Sequence, residues 1–196
     1  MDIKNRLQMT IVTYNRDIYL ERTLNCLLDE KSPVKDYSIL VFDNNSTDNT
    51  HEVVKRFQEK FTNVDYYKNP YNVTSLPNIA KAFEQNTKDY IWVLSDTAHF
   101  DWDNWNEVEM AMSKNEDIIV ASRSLIPQGC ETIPYLLTQA CFLSTCIFSK
   151  NILNSKVMKN MYDNLYTMFP QLIPVVEHVN NNGKFYYLKK EVICHG

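Results

Sequence analysis

The sequence predicts an α/β fold with a mixed, mainly parallel sheet flanked by helices, and three observations carry that prediction. Four short β-rich runs are separated by three helix-patterned segments within the first hundred residues. The helical segments have the length of crossover connections, which set successive strands parallel and cover the sheet on both faces. Polar clusters follow three of the strands, at the carboxyl edge where open sheets of this kind gather ligands.

The first strand is residues 7–13, followed by the turn Asn15-Arg16-Asp17 and a helix in which Ile18, Leu20, Leu24, Leu27 and Leu28 recur at helical spacing. The second strand, residues 37–42, runs into Asp43-Asn44-Asn45-Ser46-Thr47-Asp48, and the next helix carries Val53, Val54, Phe57 and Phe61 on one face. A third strand over 64–67 leads through a loop with Asn69, Pro70 and Asn72 to a helix around Ile79, Ala80 and Phe83. The fourth, 90–94, is strongly apolar and ends at Ser95-Asp96-Thr97-Ala98. Beyond Ala98 the pattern loosens. It predicts a helix over 103–113, a strand over 118–121, an apolar stretch over 140–148, helices over 151–162 and 169–179, and one final strand over 185–194. No repeat, low-complexity tract or linker composition divides the chain, so 1–196 reads as a single domain.

A chain of 196 residues is long enough to bury a core without disulfide or metal staples. Its 44% apolar and 22% charged residues are those of a soluble globular protein, and no apolar run approaches the roughly 20 residues that span a bilayer. The N-terminus lacks the layout of a secretory signal, so a cytoplasmic location is expected. Five irregularly spaced cysteines form neither a C-x-x-C pair nor a zinc pattern, and reduced thiols are expected. A net charge of −4 argues against a nucleic-acid partner and leaves a small molecule as the expected ligand. With glycine only at 129, 183 and 196, no dinucleotide fingerprint or P-loop can be written. A bound nucleotide must have its phosphates handled by side chains and a metal.

Three strand ends hold the candidate chemistry. Asp43, with Asn44, Asn45 and Ser46, offers short fixed polar groups suited to discriminating a base and ribose. The same residues also fit an Asx turn with Ser46 or Thr47 capping the next helix. Tyr14 is either a stacking platform for a base or a packed rim aromatic. Asp96 stands where a divalent ion bridging a diphosphate would sit, and it equally suits a helix cap.

Order and spacing together shift the balance toward the ligand-binding readings. The runs Ile11-Val12-Thr13-Tyr14-Asn15-Arg16, Val41-Phe42-Asp43-Asn44-Asn45-Ser46-Thr47-Asp48 and Tyr90-Ile91-Trp92-Val93-Leu94-Ser95-Asp96, with Asn69, Asn72 and Asn78 between them, resemble the inverting family-two glycosyltransferases of the GT-A, Rossmann-type fold. The resemblance covers about residues 7–123. Past it, the segment from Phe169 to Tyr187 looks like the tail of small bacterial O-antigen sugar transferases.

The resemblance implies a nucleotide-sugar-binding half, 1–98, and an acceptor-side half, 99–196. The implied donor-binding set is Thr13, Tyr14, Asn15, Arg16, Asp43, Asn44, Asn72, Asn78, Ser95 and Asp96. Tyr14 and Asp43-Asn44 would contact the base, Asp96 the ribose or a manganese or magnesium ion, and Arg16 would face the phosphates or solvent. Relatives usually carry two or three acidic residues where this chain has Ser95-Asp96-Thr97-Ala98, so Thr97 stands in the place of the direct metal ligand. His99, Asp101 and His195 are possible substitute ligands, although Asp101 also reads as a cap ahead of a helix. An inverting transfer needs a base for the acceptor hydroxyl, and Asp163 and Glu177 are the weak candidates in the second half.

The expected function is therefore transfer of a sugar, most simply from a UDP-sugar, to a saccharide or glycolipid acceptor in surface polysaccharide synthesis, with at most peripheral membrane contact. The alternatives are a donor-binding pseudoenzyme of the same fold and a nucleotidyltransferase. The latter commonly needs a glycine-rich phosphate loop that Thr13-Tyr14-Asn15-Arg16 does not provide.

Overall fold

The structure is a computed structural model that describes residues 2–122 and 132–194. The first half reads β1 (Leu7–Thr13), α1 (Asp17–Leu27), β2 (Ser38–Asp43), α2 (Thr50–Gln58), β3 (Val64–Lys68), α3 (Ser75–Glu84) and β4 (Tyr90–Ser95). The second reads β5 (His99–Phe100), α4 (Trp105–Ser113), β6 (Ile118–Val120), α5 (Ile133–Ala140), β7 (Cys146–Ser149), α6 (Ser155–Asp163), α7 (Leu172–Asn180), β8 (Tyr186–Tyr187) and β9 (Ile193–Cys194).

Seven strands form the main sheet in the order β3-β2-β1-β4-β7-β6-β8, with β5 and β9 paired apart from it. β3, β2, β1 and β4 are mutually parallel, and β7 runs antiparallel to both β4 and β6. The sheet is mixed, as the sequence predicts. Successive side chains of a strand face opposite sides, and β4 shows the result. Trp92 and Leu94 join one core with α1, α2 and α4, while Ile91 and Val93 join the other with α3, α5, α6 and α7. Coverage on both faces is why β1 and β4 are almost wholly buried.

The strand order fixes the site. β1 leads to β2 and β3 on one side, and the chain then crosses to place β4 on the other, so a crevice opens between the carboxyl ends of β1 and β4. An aromatic cluster anchors β4 below it. Trp92 packs on Trp105 and Phe100, and its indole N–H donates to the Ser144 carbonyl at 2.6 Å.

Several boundaries differ from the sequence pattern. Ile18 keeps the helical spacing of α1 yet is 61% exposed, because it lies in the first turn ahead of the packed stripe Leu20, Leu24 and Leu27. Neither Ser46 nor Thr47 caps α2: its N-cap is Asn49, and Asp48 just ahead accepts from both the N–H and the hydroxyl of Thr50. Its other carboxylate oxygen takes the N–H of Asp17, so one side chain pins the starts of α1 and α2. The apolar stretch 140–148 divides into the end of α5 and strand β7. The single strand expected over 185–194 is two short ones in different sheets. The Glu107 carboxylate captures the Lys189 N–H at 2.8 Å and Asn104 donates to the Lys190 carbonyl, which diverts the chain from the β6 edge toward β5.

Candidate functional site

A cleft of about 600 Å³ opens at the β1–β4 crevice. Thr13, Tyr14 and Arg16 reach it from the end of β1, Asn44 from the end of β2, and Ser95 and Asp96 from the end of β4. Asn72 comes from the loop after β3 and Asn78 from α3. Eight of the ten donor-binding candidates thus meet in one cavity. The remaining two, Asn15 and Asp43, do not line it; both hold its wall in place.

Asn15 takes a left-handed backbone (φ 52°), which asparagine tolerates better than most residues. Its N–H donates to the Ser46 hydroxyl and its side-chain oxygen accepts from the Thr47 N–H, lacing the β1 turn to the β2 turn. Asp43 is fully buried. One carboxylate oxygen accepts from the Ser46 N–H at 2.9 Å and from its hydroxyl at 2.6 Å, and the other accepts from the Tyr66 hydroxyl at 2.6 Å. The Asp43 carboxylate folds back on its own loop, reaching Ser46 three residues on rather than the two of an Asx turn, and burial together with the Tyr66 bond pushes the Tyr66 hydroxyl far above its ordinary range.

The buried Asn44, Asn69 and Asn78 and the exposed Asn72 form one hydrogen-bonded network beneath the cleft. The Asn44 amide donates to the Asn72 side chain and to the Thr74 carbonyl, while its oxygen accepts from the Val73 N–H and from Asn69. Asn69 also donates to Asn78 at 2.7 Å, and Lys81 donates to the Asn69 oxygen. Buried amides with every partner in place fix a single loop geometry. The network holds Thr74 at φ 67°, a backbone conformation costly for a β-branched residue, by about 1–3 kcal/mol. Thr74, Ser75, Ile79 and Val12 also line the cleft, and the sequence reading passed over them. Thr74-Ser75 followed by Pro77 carries a helix-start signal that places these residues at the loop's end.

Tyr14 is 42% exposed on the rim, which leaves a ring face open to a ligand. Asp96 lies on the floor, nearly inaccessible. The Thr13 hydroxyl donates to one of its oxygens at 3.0 Å, the Arg16 Nε lies 3.5 Å from the other, and the Thr23 hydroxyl donates to its backbone carbonyl at 2.8 Å. Burial pushes its carboxyl above the usual carboxylate range against the opposing pull of Arg16 and Thr13. A second hollow of about 260 Å³ shares Asp96 with the cleft and is lined by residues that include Arg22, Thr97 and His99.

The donor set does not fit a resident divalent ion. Such ions require several oxygen ligands with compensating negative charge. Asp96 already faces a guanidinium, and the Ser95 and Thr97 hydroxyls are 2.9 Å apart and engage each other. Asp101 accepts from the Asp103 N–H through one oxygen but is not the cap of α4, whose N-cap is Asn104, and His99 lies exposed on the second hollow. His195 lies outside the described residues. Among the described residues no three His, Cys, Asp or Glu side chains converge as a metal site. Because a carboxylate is a far better hard-cation ligand than a hydroxyl, Thr97→Asp should tighten manganese binding by about tenfold or more, read by calorimetry on the apo protein. Unchanged affinity would place metal ligands away from Asp96.

The two candidate bases are not brought to the cleft. Asp163 pairs with Lys159 one turn away on α6. Glu177 on α7 binds Lys156 and Asn160, which hold its carboxyl below its usual range, opposite to what a base retaining a proton-accepting role near neutrality needs. Both are surface ion-pair partners, the ordinary fate of acids on an exposed helical face.

A family model described as glycosyl transferase family 2 matches residues 9–169, taking in every element that builds this cleft. The chain belongs to glycosyl transferase family 2. An uncharacterized glycosyltransferase of Mycoplasma pneumoniae, the MG060 homolog, is 25% identical over 94% of this chain and 69% of its own length. Staphylococcus aureus TarS 1–349 in complex with UDP-GlcNAc superposes with a TM-score of 0.71 at 16% identity, over 97% of this chain and 59% of that one. The Pyrobaculum calidifontis mannosyltransferase PcManGT with GDP-Man and Mn2+ gives a TM-score of 0.56 at 17% identity, over 76% and 45%. This family 2 chain therefore spans less than two thirds of the length of those solved structures, and it shares their GT-A fold. No helix among the described residues is long and apolar enough to cross a membrane.

Proposed function

We propose that this chain is an inverting glycosyltransferase that moves a sugar from a UDP-sugar to a hydroxyl of a saccharide or glycolipid acceptor in surface polysaccharide synthesis, acting in the cytoplasm with at most peripheral membrane contact. One observation carries the reading. Thr13, Tyr14, Asn44, Ser95 and Asp96, from three separate strand ends, line a single cleft at the switch point of a family 2 fold. The UDP-GlcNAc held by a structural neighbour supports the choice of donor. On this reading 1–98 holds the donor and 99–196 faces the acceptor.

In the reaction the acceptor oxygen forms a bond to the anomeric carbon while the bond from that carbon to the β-phosphate oxygen breaks. The electron pair leaves with the nucleoside diphosphate, and the acceptor proton passes to a base. Tyr14 offers its exposed face to the base ring, and the Asn44 network fixes the wall against which the nucleoside lies. Base–aromatic stacking is worth about 1–3 kcal/mol. UDP titrated into the wild-type protein should bind, and Tyr14→Ala should weaken it about tenfold, read by calorimetry. No binding of UDP or GDP at millimolar concentration would overturn the reading.

A second reading, a donor-binding module without turnover, is favoured by one feature. Among the described residues, Asp96 is the sole carboxylate lining the cleft. Donor binding without transfer over a broad acceptor panel supports it, and transfer abolished by Asp96→Ala excludes it.

A further inference from the structure

We propose that the Arg16 guanidinium performs, at the donor's diphosphate, the charge neutralisation a divalent cation would otherwise supply, so that this chain binds its nucleotide without metal. The inference rests on the reading above and concerns what holds the phosphates.

The argument begins from charge. A nucleoside diphosphate entering the cleft brings its phosphates near Asp96, a buried carboxylate on the floor. Two anions brought together out of water need a cation between them. Among the described residues, Arg16 and Asp96 are the two charged side chains that line the cleft. The neighbouring lysines are committed elsewhere, Lys68 to the Ser46 carbonyl at 2.7 Å and Lys81 to the Asn69 side chain at 2.7 Å. The metal alternative lacks ligands, since the positions flanking Asp96 are hydroxyl residues bonded to each other.

Arg16 also has the required geometry. Its Nε lies 3.5 Å from Asp96, its guanidinium carbon sits 4.6 Å over the Tyr19 ring, and its side chain remains 45% exposed. The carboxylate and the ring hold the plane of the fork, and Asp96 faces Nε, which leaves the two Nη groups for a ligand. A planar fork of this kind matches two phosphate oxygens at once. A cation held in place by a buried partner is more than a surface charge, because its orientation is set before the ligand arrives. Asp96 is then a positioning residue for Arg16.

The test compares uridine with UDP, each titrated by calorimetry in EDTA and in manganese. The expected result is that wild-type UDP affinity agrees within about twofold in the two buffers. Arg16→Ala should weaken UDP by about tenfold or more in EDTA with uridine affinity within about twofold, and Arg16→Lys should keep part of the difference, since a point charge replaces a fork. The double variant Arg16→Ala/Asp96→Asn leaves no unpaired buried charge, and it must show the same selective loss if the single variant folds poorly. UDP binding that appears only with manganese would overturn the inference while leaving the glycosyltransferase reading intact. Equal weakening of uridine and UDP by Arg16→Ala would make the pair a structural tie and would also overturn it. Absence of binding by both uridine and UDP in both buffers would overturn this inference together with the proposed function.

Discussion

Asp96→Asn is expected to lower kcat/KM for sugar transfer by about a hundredfold or more while leaving the melting temperature unchanged or raised. Asparagine keeps the volume and can still accept from the Thr13 hydroxyl, but it withdraws the charge that holds Arg16 over the cleft. The rise in stability follows from burial. Desolvation pushes the Asp96 carboxyl above its ordinary 3.8, against Arg16 and Thr13, so the folded protein holds that proton more tightly than the unfolded chain. Below the unfolded value both states are protonated and there is no penalty. As pH rises through the folded value the penalty grows until it is complete. The stability gain of Asp96→Asn should therefore be absent near pH 3 and grow as pH rises toward 7, read by thermal denaturation across that range. Wild-type turnover in this variant would remove Asp96 from the mechanism. A gain that grows toward acid would contradict the desolvation account.

Asp43→Ala should be the most destabilising change near the site, by about 3 kcal/mol, or roughly 6–12 °C in a domain of this size. Its carboxylate takes three hydrogen bonds from Ser46 and Tyr66 with no access to water, and truncation strands those donors in the interior. The damage should spread, because the same Ser46 hydroxyl accepts from the Asn15 N–H and the Ser46 carbonyl accepts from Lys68. Adding Tyr66→Phe removes one stranded hydroxyl and should recover about 1 kcal/mol. Thermal denaturation of the two variants checks both numbers, and a loss below 1 kcal/mol for Asp43→Ala would mean that water reaches the site.

The contrast between Asp43 and Asp96 shows what was legible in the sequence. Both follow apolar strands and both read as donor ligands. Continuous apolar runs in β1, β2 and β4 and helical spacing in α1, α2 and α3 are local properties, so the sequence could place the strand ends and hence the crevice. Whether a carboxylate at such an end faces the cleft or turns back to its own loop depends on partners far along the chain. Tyr66, 23 residues away, takes the second oxygen of Asp43, while Thr13, 83 residues away, meets Asp96. The second half was harder for the same reason. Asp163 and Glu177 are only weak candidates in helical patterns, and lysines one turn along α6 or across the α6–α7 contact claim them.

The sequence by itself therefore determined the βα alternation, the parallel core of the sheet, the absence of glycine-rich phosphate loops and the strand-end cluster of Tyr14, Asn44 and Asp96. These follow from hydrophobic periodicity and residue chemistry, which act over a few residues. The tertiary structure alone decided that Asp43 supports the wall from behind, that four asparagines lock the loop before α3, and that Asp96 meets a guanidinium. Each of those outcomes is set by which buried polar group finds a partner across the fold, and a group removed from water must find one.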